Sequence, residues 1–370
     1  ARPFACSTPR VAKTTCGSWQ RGVGRSIFRY LCASRTGRLA CHRANECAAV
    51  RSRPRKPGAP SGGRRGQVSR GDSWGDRAVS LRVVAVNGLC TVQDLGRPGL
   101  AHDGVPAGGA ADLLSLRLAN LAVGNAQGAA GVEVARGSVC FEVHRACRVA
   151  VSSGGRSFEA IEYDSGQRFE VSAGRTLCRA FLAVGGGIDV PLVLGSRSTL
   201  IGASLGGCEG RALQPGDLLR VGQAVGKPAA ITPAVQAQLR FETTRRVLRV
   251  VVDGADAALP TGLMRVLPSS DRVGIRLGFS LGTGRQTQAD LRSRGVLHGT
   301  IQMPSANELV ILGPDGPTTG GYPTVGTIVA ADLAAVGQLM PGQWVKFEVV
   351  SREEAVDLAR LQRDMLDRIH

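Results

Sequence analysis

Leu81-Arg82-Val83-Val84-Ala85-Val86-Asn87-Gly88-Leu89-Cys90-Thr91-Val92-Gln93 sets two runs of strand-forming residues, 81–86 and 89–93, around an Asn-Gly pair. Asn-Gly favours the two positive φ angles of a type I′ turn, so the spacing predicts a β-hairpin. Outward from it, a Gly/Pro-rich loop leads into segment 109–123. There Leu114, Leu118 and Leu121 share one helical face, and Gly124-Asn125 supplies a C-terminal stop. Short alternating runs follow, Val132/Val134, Val139/Phe141/Val143, Cys147/Val149/Val151 and Phe169/Val171, mostly separated by Gly, Ser or Asp. Period-two alternation with such punctuation is a mainly antiparallel β pattern.

A weak internal echo divides the chain. Leu213-Gln214-Pro215-Gly216-Asp217-Leu218-Leu219-Arg220-Val221 resembles Leu339-Met340-Pro341-Gly342-Gln343-Trp344-Val345-Lys346-Phe347, each a turn feeding a strand. Each is preceded by a Gly-Gly pair and a proline, Gly186-Gly187 with Pro191 and Gly320-Gly321 with Pro323. We therefore expect a first β lobe over 79–225 and a second over 247–350, with a Pro/Ala/Gln stretch at 226–238 between them. Ser351 and Glu354 form a capping box that opens a C-terminal helix over 351–370, with Leu358, Leu361, Met365 and Ile369 as its stripe.

The net charge of +17 invites a nucleic-acid reading, but its distribution opposes one. Residues 1–78 hold 17 Lys and Arg against three acids, whereas residues 79–370 hold 29 against 26. The body is nearly neutral, and the basic segment lacks hydrophobic periodicity, so 1–78 reads as a disordered extension outside the fold. The cysteines of the body sit among apolar residues and no CxxC pair occurs, which reads as small buried hydrophobes in a reducing, cytoplasmic setting. No apolar run approaches the roughly 18 residues of a membrane span. No nucleic-acid or membrane partner and no metal site are expected.

No phosphate loop and no dinucleotide glycine fingerprint is present. Gly202-Ala203-Ser204-Leu205-Gly206 matches G-x-S-x-G, but its surroundings read as strands and loops, and only His298 and His370 follow it. The remaining polar stretches are TVQDLGRPG (91–99), SSDRVG (269–274), GTIQMP (299–304) and TTGGYP (318–323). Taken singly, Asp and Arg cap turns and glycines supply positive φ. Taken together they suit a polar pocket. Gln93, Gln302 and the aspartates can bond an amide, and Thr318 and Thr319 join the substrate- or anion-binding set. Arg97 and Arg272 can pair a carboxylate, and the Gly320-Gly321 backbone can hold an anion. Asp94 or Asp271 can act as a base if desolvated, and Tyr322 can orient a substrate.

These stretches, with RLANLAVGN (117–125), GGIDVPLVLGSRST (186–199) and SDRVGIRL (270–277), resemble in order the family of C-type 5-oxoprolinase subunits. It is also called the biotin-dependent carboxyltransferase or allophanate hydrolase subunit 2 family. The resemblance covers about 80–350. It implies cyclophilin-like β-barrel lobes and ATP-driven opening of 5-oxoproline to glutamate. It also implies two partners, a B-type 5-oxoprolinase subunit and an A-type lactam-utilisation protein, with ATP bound somewhere in the complex. A sister activity is the carboxyltransferase half of urea carboxylase. Lys13, Lys56, Lys227 and Lys346 are the only lysines and none lies in a biotin-attachment sequence, so in that reading biotin arrives on a partner. A third reading is a non-catalytic regulator of a kinase inhibitor. Two departures from the family pattern, a short 252–269 segment and Ser305-Ala306-Asn307-Glu308 in place of a Gly-containing turn, suggest a weakened second lobe.

Overall fold

The computed structural model describes residues 79–153, 159–174, 177–223, 226–252, 259–279 and 292–369. The expectation for 1–78 lies outside the described residues, as does part of the short 252–269 segment. The fold is mainly β. β1 (Val79–Gln93) is followed by helix α1 (Leu113–Ala122), then β2 (Gly131–Val143), β3 (Cys147–Ser152), β4 (Ile161–Tyr163), β5 (Arg168–Ser172), β6 (Arg179–Val184) and β7 (Leu218–Arg220). These strands make one curled sheet in the order β4-β3-β6-β2-β1-β7, with β5 also on β2. Helix α2 (Pro233–Thr244) leads into β8 (Val247–Val251), β9 (Met264–Val266), β10 (Gly274–Gly278), β11 (Arg294–Gly295), β12 (Thr300–Ser305), β13 (Glu308–Leu312), β14 (Thr319–Gly320) and β15 (Thr324–Ile328). Helix α3 (Leu333–Gly337), β16 (Trp344–Val349) and helix α4 (Arg352–Asp367) complete the chain. Strands β10-β13-β12-β15-β8-β16-β9 close into a barrel, and β11-β14 is a separate ribbon.

The expected hairpin at Asn87-Gly88 is not a hairpin. β1 runs through it as one 15-residue strand against β2. The register shifts between Asn87 and Leu89, and Gly88 has φ +97. A Cβ on Gly88 would lie 2.8 Å from the Ala135 carbonyl oxygen, so the glycine serves a bulge with close backbone approach. An Asn-Gly pair satisfies either geometry. The alternating runs do form strands: Val132, Val134, Val139, Phe141 and Val143 all lie on β2 and all are buried in the core of the first sheet.

Helix α1 begins where Asp112 accepts from the Ser115 backbone N–H at 2.9 Å, three residues later than the apolar pattern alone suggests. It packs its Leu114 and Leu118 face on the back of the first sheet, where Ala150 and Ala183 leave room, and α2, α3 and α4 join the same cluster. Ser351 caps α4 through the Glu354 N–H at 3.0 Å. The predicted stripe is only partly buried: Ile369 packs inward but Leu361 is 65% exposed, and Leu366 takes the buried place. The echo is real at its turns. Asp217 N–H donates to the Gln214 carbonyl and Gln343 N–H to the Met340 carbonyl, both at 3.1 Å. Each turn is also closed by its side chain, Asp217 accepting from Gln214 N–H and Gln343 from Met340 N–H. The Gly-Gly pairs do not match, because Gly186 and Gly187 have positive φ and Gly320 and Gly321 do not. The second lobe is not weakened into an open sheet, since Ser305 pairs with Glu308 across a two-residue turn inside a closed barrel.

A buried ionic chain joins the sheet to the barrel. Glu133 on β2 accepts from Arg179 Nε on β6 at 3.0 Å and from Arg272 Nη1, just ahead of β10, at 2.8 Å. Its other oxygen accepts from Ala111 N–H at 2.9 Å. Arg272 also forks onto Asp315 at 2.7 and 2.9 Å. Arg179 donates to the Gly337 carbonyl, while Gln338 accepts from Arg179 N–H and donates to Asp112. Burial opposes the charge of Glu133, yet Arg272 and Arg179 hold its carboxyl below the usual carboxylate range. Replacing one member of such a group strands the others in low dielectric, at a cost of about 3–5 kcal/mol. Glu133→Gln should lower the unfolding free energy by that order in urea titration. Glu162→Gln, which removes the exposed pair with Arg148, should cost less than about 1 kcal/mol.

Candidate functional site

The structure sorts the sequence-predicted residues into two groups. The first lies at the junction of sheet and barrel. Gln93, fully buried at the end of β1, donates to Thr91 Oγ1 and the Thr199 carbonyl and accepts from Ser198 Oγ at 2.8 Å. Asp94 accepts from Gly96 N–H, Ser196 Oγ and Arg197 N–H at 2.8, 2.6 and 2.6 Å. The first closes the 94–97 turn and the other two pin it to the 196–198 loop. Asp94 is thus a loop clamp, and its oxygens are occupied where the expectation of a base asks for a free one. Ser198 Oγ in turn accepts from Gly109 N–H, and the Gly109 carbonyl accepts from Arg272 at 2.7 Å. One residue, Gly109, thereby relays the Gln93–Ser198 cluster to the ionic chain.

Arg97 is 2% exposed. Its Nη2 donates to the Ser198 carbonyl at 2.5 Å, whereas Nη1 is buried without a hydrogen-bond partner. Burial pushes this guanidinium below its usual range, against the opposing pull of Asp94 and Asp315. Arg272 is engaged within the protein, so the fork expected to meet a substrate carboxylate meets Asp315. Asp271 accepts from Val273 and Gly274 N–H at 2.8 and 3.0 Å, an Asx turn that starts β10.

The second group lies on the barrel and its ribbon. Gln302 on β12 is 3% exposed and stands opposite Thr324 on β15 in the strand register. Gln302 Nε2 and Thr324 Oγ1 are both buried without hydrogen-bond partners. Gly320 covers the amide so closely that a Cβ there would fall 2.3 Å from Gln302 Nε2. The glycine therefore answers a demand for space, and its backbone pairs with Arg294 in the ribbon where a free anion nest was expected. Thr318 accepts from Val296 N–H through its carbonyl, Thr319 is exposed, and Tyr322 is 47% exposed beside them in sequence. Gly321 is partly buried.

Sequence reading missed Glu133, Arg179, Asp315, Thr324 and His298. His298 is partly buried, and burial first, with Arg272 second, pushes its imidazole down to about 4. Burial also pushes the Cys90 thiol up to about 12, in keeping with a small buried hydrophobe. Ser204 of the G-x-S-x-G match has φ +53 at the end of a 3₁₀ turn, and among the described residues no histidine lines the cavity beside it. Among the described residues no group of three or more His, Cys, Asp or Glu is placed to hold a metal, and no helix is long and apolar enough to cross a membrane.

Comparison with known proteins places this geometry. Residues 103–349 match the family described as carboxyltransferase domain, subdomain A and B. The chain is 32% identical to the C-type 5-oxoprolinase subunit of Escherichia coli (strain K12) over 78% of this chain and 97% of that one. It is 31% identical to the subunit of that name in Haemophilus influenzae, with the same coverage. Among solved structures it is similar to the urea carboxylase of Kluyveromyces lactis, with TM-score 0.71 and 28% identity, over 81% of this chain and 30% of that one.

Two outcomes follow from the placements. Asp94→Asn puts a donor where Arg197 N–H needs an acceptor, and should destabilise the chain by about 1–3 kcal/mol in urea titration. A free His titrates near 6.5, so between about 6.5 and 4 the unfolded chain binds a proton that His298 in the fold does not. Stability contributed by the neutral imidazole is therefore lost as pH falls through that window, by up to about 3 kcal/mol, and levels off below it. Urea midpoints measured across pH 7 to 4 should fall less in His298→Asn than in the wild type.

Proposed function

The chain belongs to the carboxyltransferase domain family built of subdomains A and B, and we propose that it is the C-type subunit of an ATP-dependent 5-oxoprolinase, opening 5-oxoproline to glutamate with B-type and A-type partners. The observation that carries this reading is the match along 97% of a bacterial C-type 5-oxoprolinase subunit, against 30% of the urea carboxylase chain.

The side chains fit a binding role better than a self-contained catalytic one. Asp94 spends both oxygens on Gly96 N–H, Ser196 Oγ and Arg197 N–H, Asp271 spends Oδ1 on the turn that starts β10, and Arg272 is engaged with Glu133 and Asp315. The buried polar atoms without hydrogen-bond partners include Gln302 Nε2, Arg97 Nη1 and the Thr324 hydroxyl. A buried polar group without a partner costs about 1–3 kcal/mol, which an incoming acceptor offsets. A lactam presents such an acceptor in its carbonyl oxygen. We assign Gln302 and Thr324 to that oxygen, and Tyr322, exposed two residues ahead of Thr324, to orienting the ring. ATP would activate the carbonyl by phosphorylation. No glycine-rich phosphate loop occurs in the sequence, so the nucleotide is assigned to the assembled complex.

A second reading draws on the likeness to the Kluyveromyces lactis urea carboxylase. In it the same donors would receive the carbonyl oxygen of urea or another amide, with carboxybiotin delivered by a partner. The test is reconstitution. The chain alone should release no glutamate from 5-oxoproline and ATP, and the complex with both partners should. Within that complex Gln302→Ala should lower kcat/KM at least tenfold while still co-purifying. Turnover by the isolated chain, or a wild-type rate from the Gln302→Ala complex, would overturn the assignment. Carboxyl transfer to urea without 5-oxoproline turnover would put the second reading in its place.

A further inference from the structure

Beside the ionic chain, a cavity of ≈ 220 Å³ lies where α1 and α4 meet the loop ahead of β12. Its apolar wall comes from residues such as Leu114, Leu333 and Leu366, and its polar lining includes Arg117 from α1, Arg363 from α4 and His298 from the barrel loop. Arg117 Nε is buried without a hydrogen-bond partner. Burial pushes the Arg117 guanidinium below its usual range and the like charge of Arg363 adds to this, while Asp367 opposes it. Two guanidiniums thus face one half-enclosed space with a single acid beside them. Neither Arg117 nor Asp367 forms an ion pair within 4 Å among the described residues, so Asp367 leaves the orphaned N–H unanswered.

We propose that this cavity binds a small oxyanion, a carboxylate or a phosphate, between Arg117 and Arg363. An oxyanion there supplies the acceptor that Arg117 Nε lacks and removes the repulsion between the two arginines. Guanidiniums suit it because each presents a planar fork of donors to paired oxygens. The location gives binding a consequence. Arg117 belongs to the helix that packs on the first sheet, Arg363 to the C-terminal helix, and His298 to the barrel. A bound anion therefore ties three elements together across the junction that Glu133 and Arg272 also hold. The proposal is independent of the 5-oxoprolinase reading, since neither arginine belongs to the groups assigned to substrate.

The experiment is isothermal titration of the full chain at fixed ionic strength with inorganic phosphate and, separately, with acetate. The wild type should bind at least one of them saturably at one site per chain, and the tighter of the two identifies the source as phosphate or carboxylate. Losing a charge-assisted contact weakens binding about tenfold or more, so Arg363→Gln and Arg117→Gln should each show that loss. Arg363 is exposed, and its variant should unfold like the wild type without anion, which separates lost binding from lost folding. Arg360→Gln, on the same helix but paired with Asp357, should bind normally. No saturable binding of either anion, or binding that both cavity variants leave unchanged, would overturn the proposal.

Discussion

The Glu133 carboxylate has to lie between Arg179 and Arg272 for the sheet and the barrel to meet as they do. Three buried charges cannot be separated cheaply, because each would then face low dielectric alone. The distances are tight, 3.0 Å to Arg179 and 2.8 Å to Arg272, and the second Glu133 oxygen fixes the backbone just ahead of α1. From these contacts the rest follows outward. Arg272 sets Asp315 and the Gly109 peptide, Gly109 sets Ser198, and Ser198 sets Gln93. Arg179 and Gln338 carry the constraint to Asp112 and so to the start of α1. Two lobes with separate apolar cores thus share one polar spine.

That spine explains which parts of the protein could be read from its sequence. The alternation Val132-Glu133-Val134 announces a strand correctly, but on a sheet with one wet face it sends Glu133 to solvent. Here β6 is buried on both faces, because α1 and its neighbours cover the back of the sheet. Arg179 is hidden for the same reason. Periodicity reports the direction of a side chain and is silent on what covers it. Asn87-Gly88 shows a related limit: the pair marks positive φ, and only the long partner strand decides between a hairpin and a bulge. The capping residues Asp112 and Ser351 act within three residues, so Ser351 was legible as a cap and α1 was located with its start misjudged.

The polar motifs spend much of their chemistry on the structure itself. Asp94, Asp271 and Arg272 have the residue types of a catalytic set, yet their hydrogen bonds hold loops and lobes. Gln302 carries a buried donor with nothing to meet, and its counterpart Thr324 was visible only through the pairing of β12 with β15. The buried groups left without partners include the amide of Gln302, the hydroxyl of Thr324 and one guanidinium nitrogen of Arg97.

The coupling between Glu133 and Arg272 tests the central claim most directly, through a double-mutant cycle of Glu133→Gln, Arg272→Gln and the pair, read by urea unfolding. If the cross-lobe bond is the constraint on which the junction depends, the double variant should be less destabilised than the sum of the singles by about 2–3 kcal/mol. Destabilisations that add to within about 0.5 kcal/mol would mean that the two residues act independently, and would contradict the account.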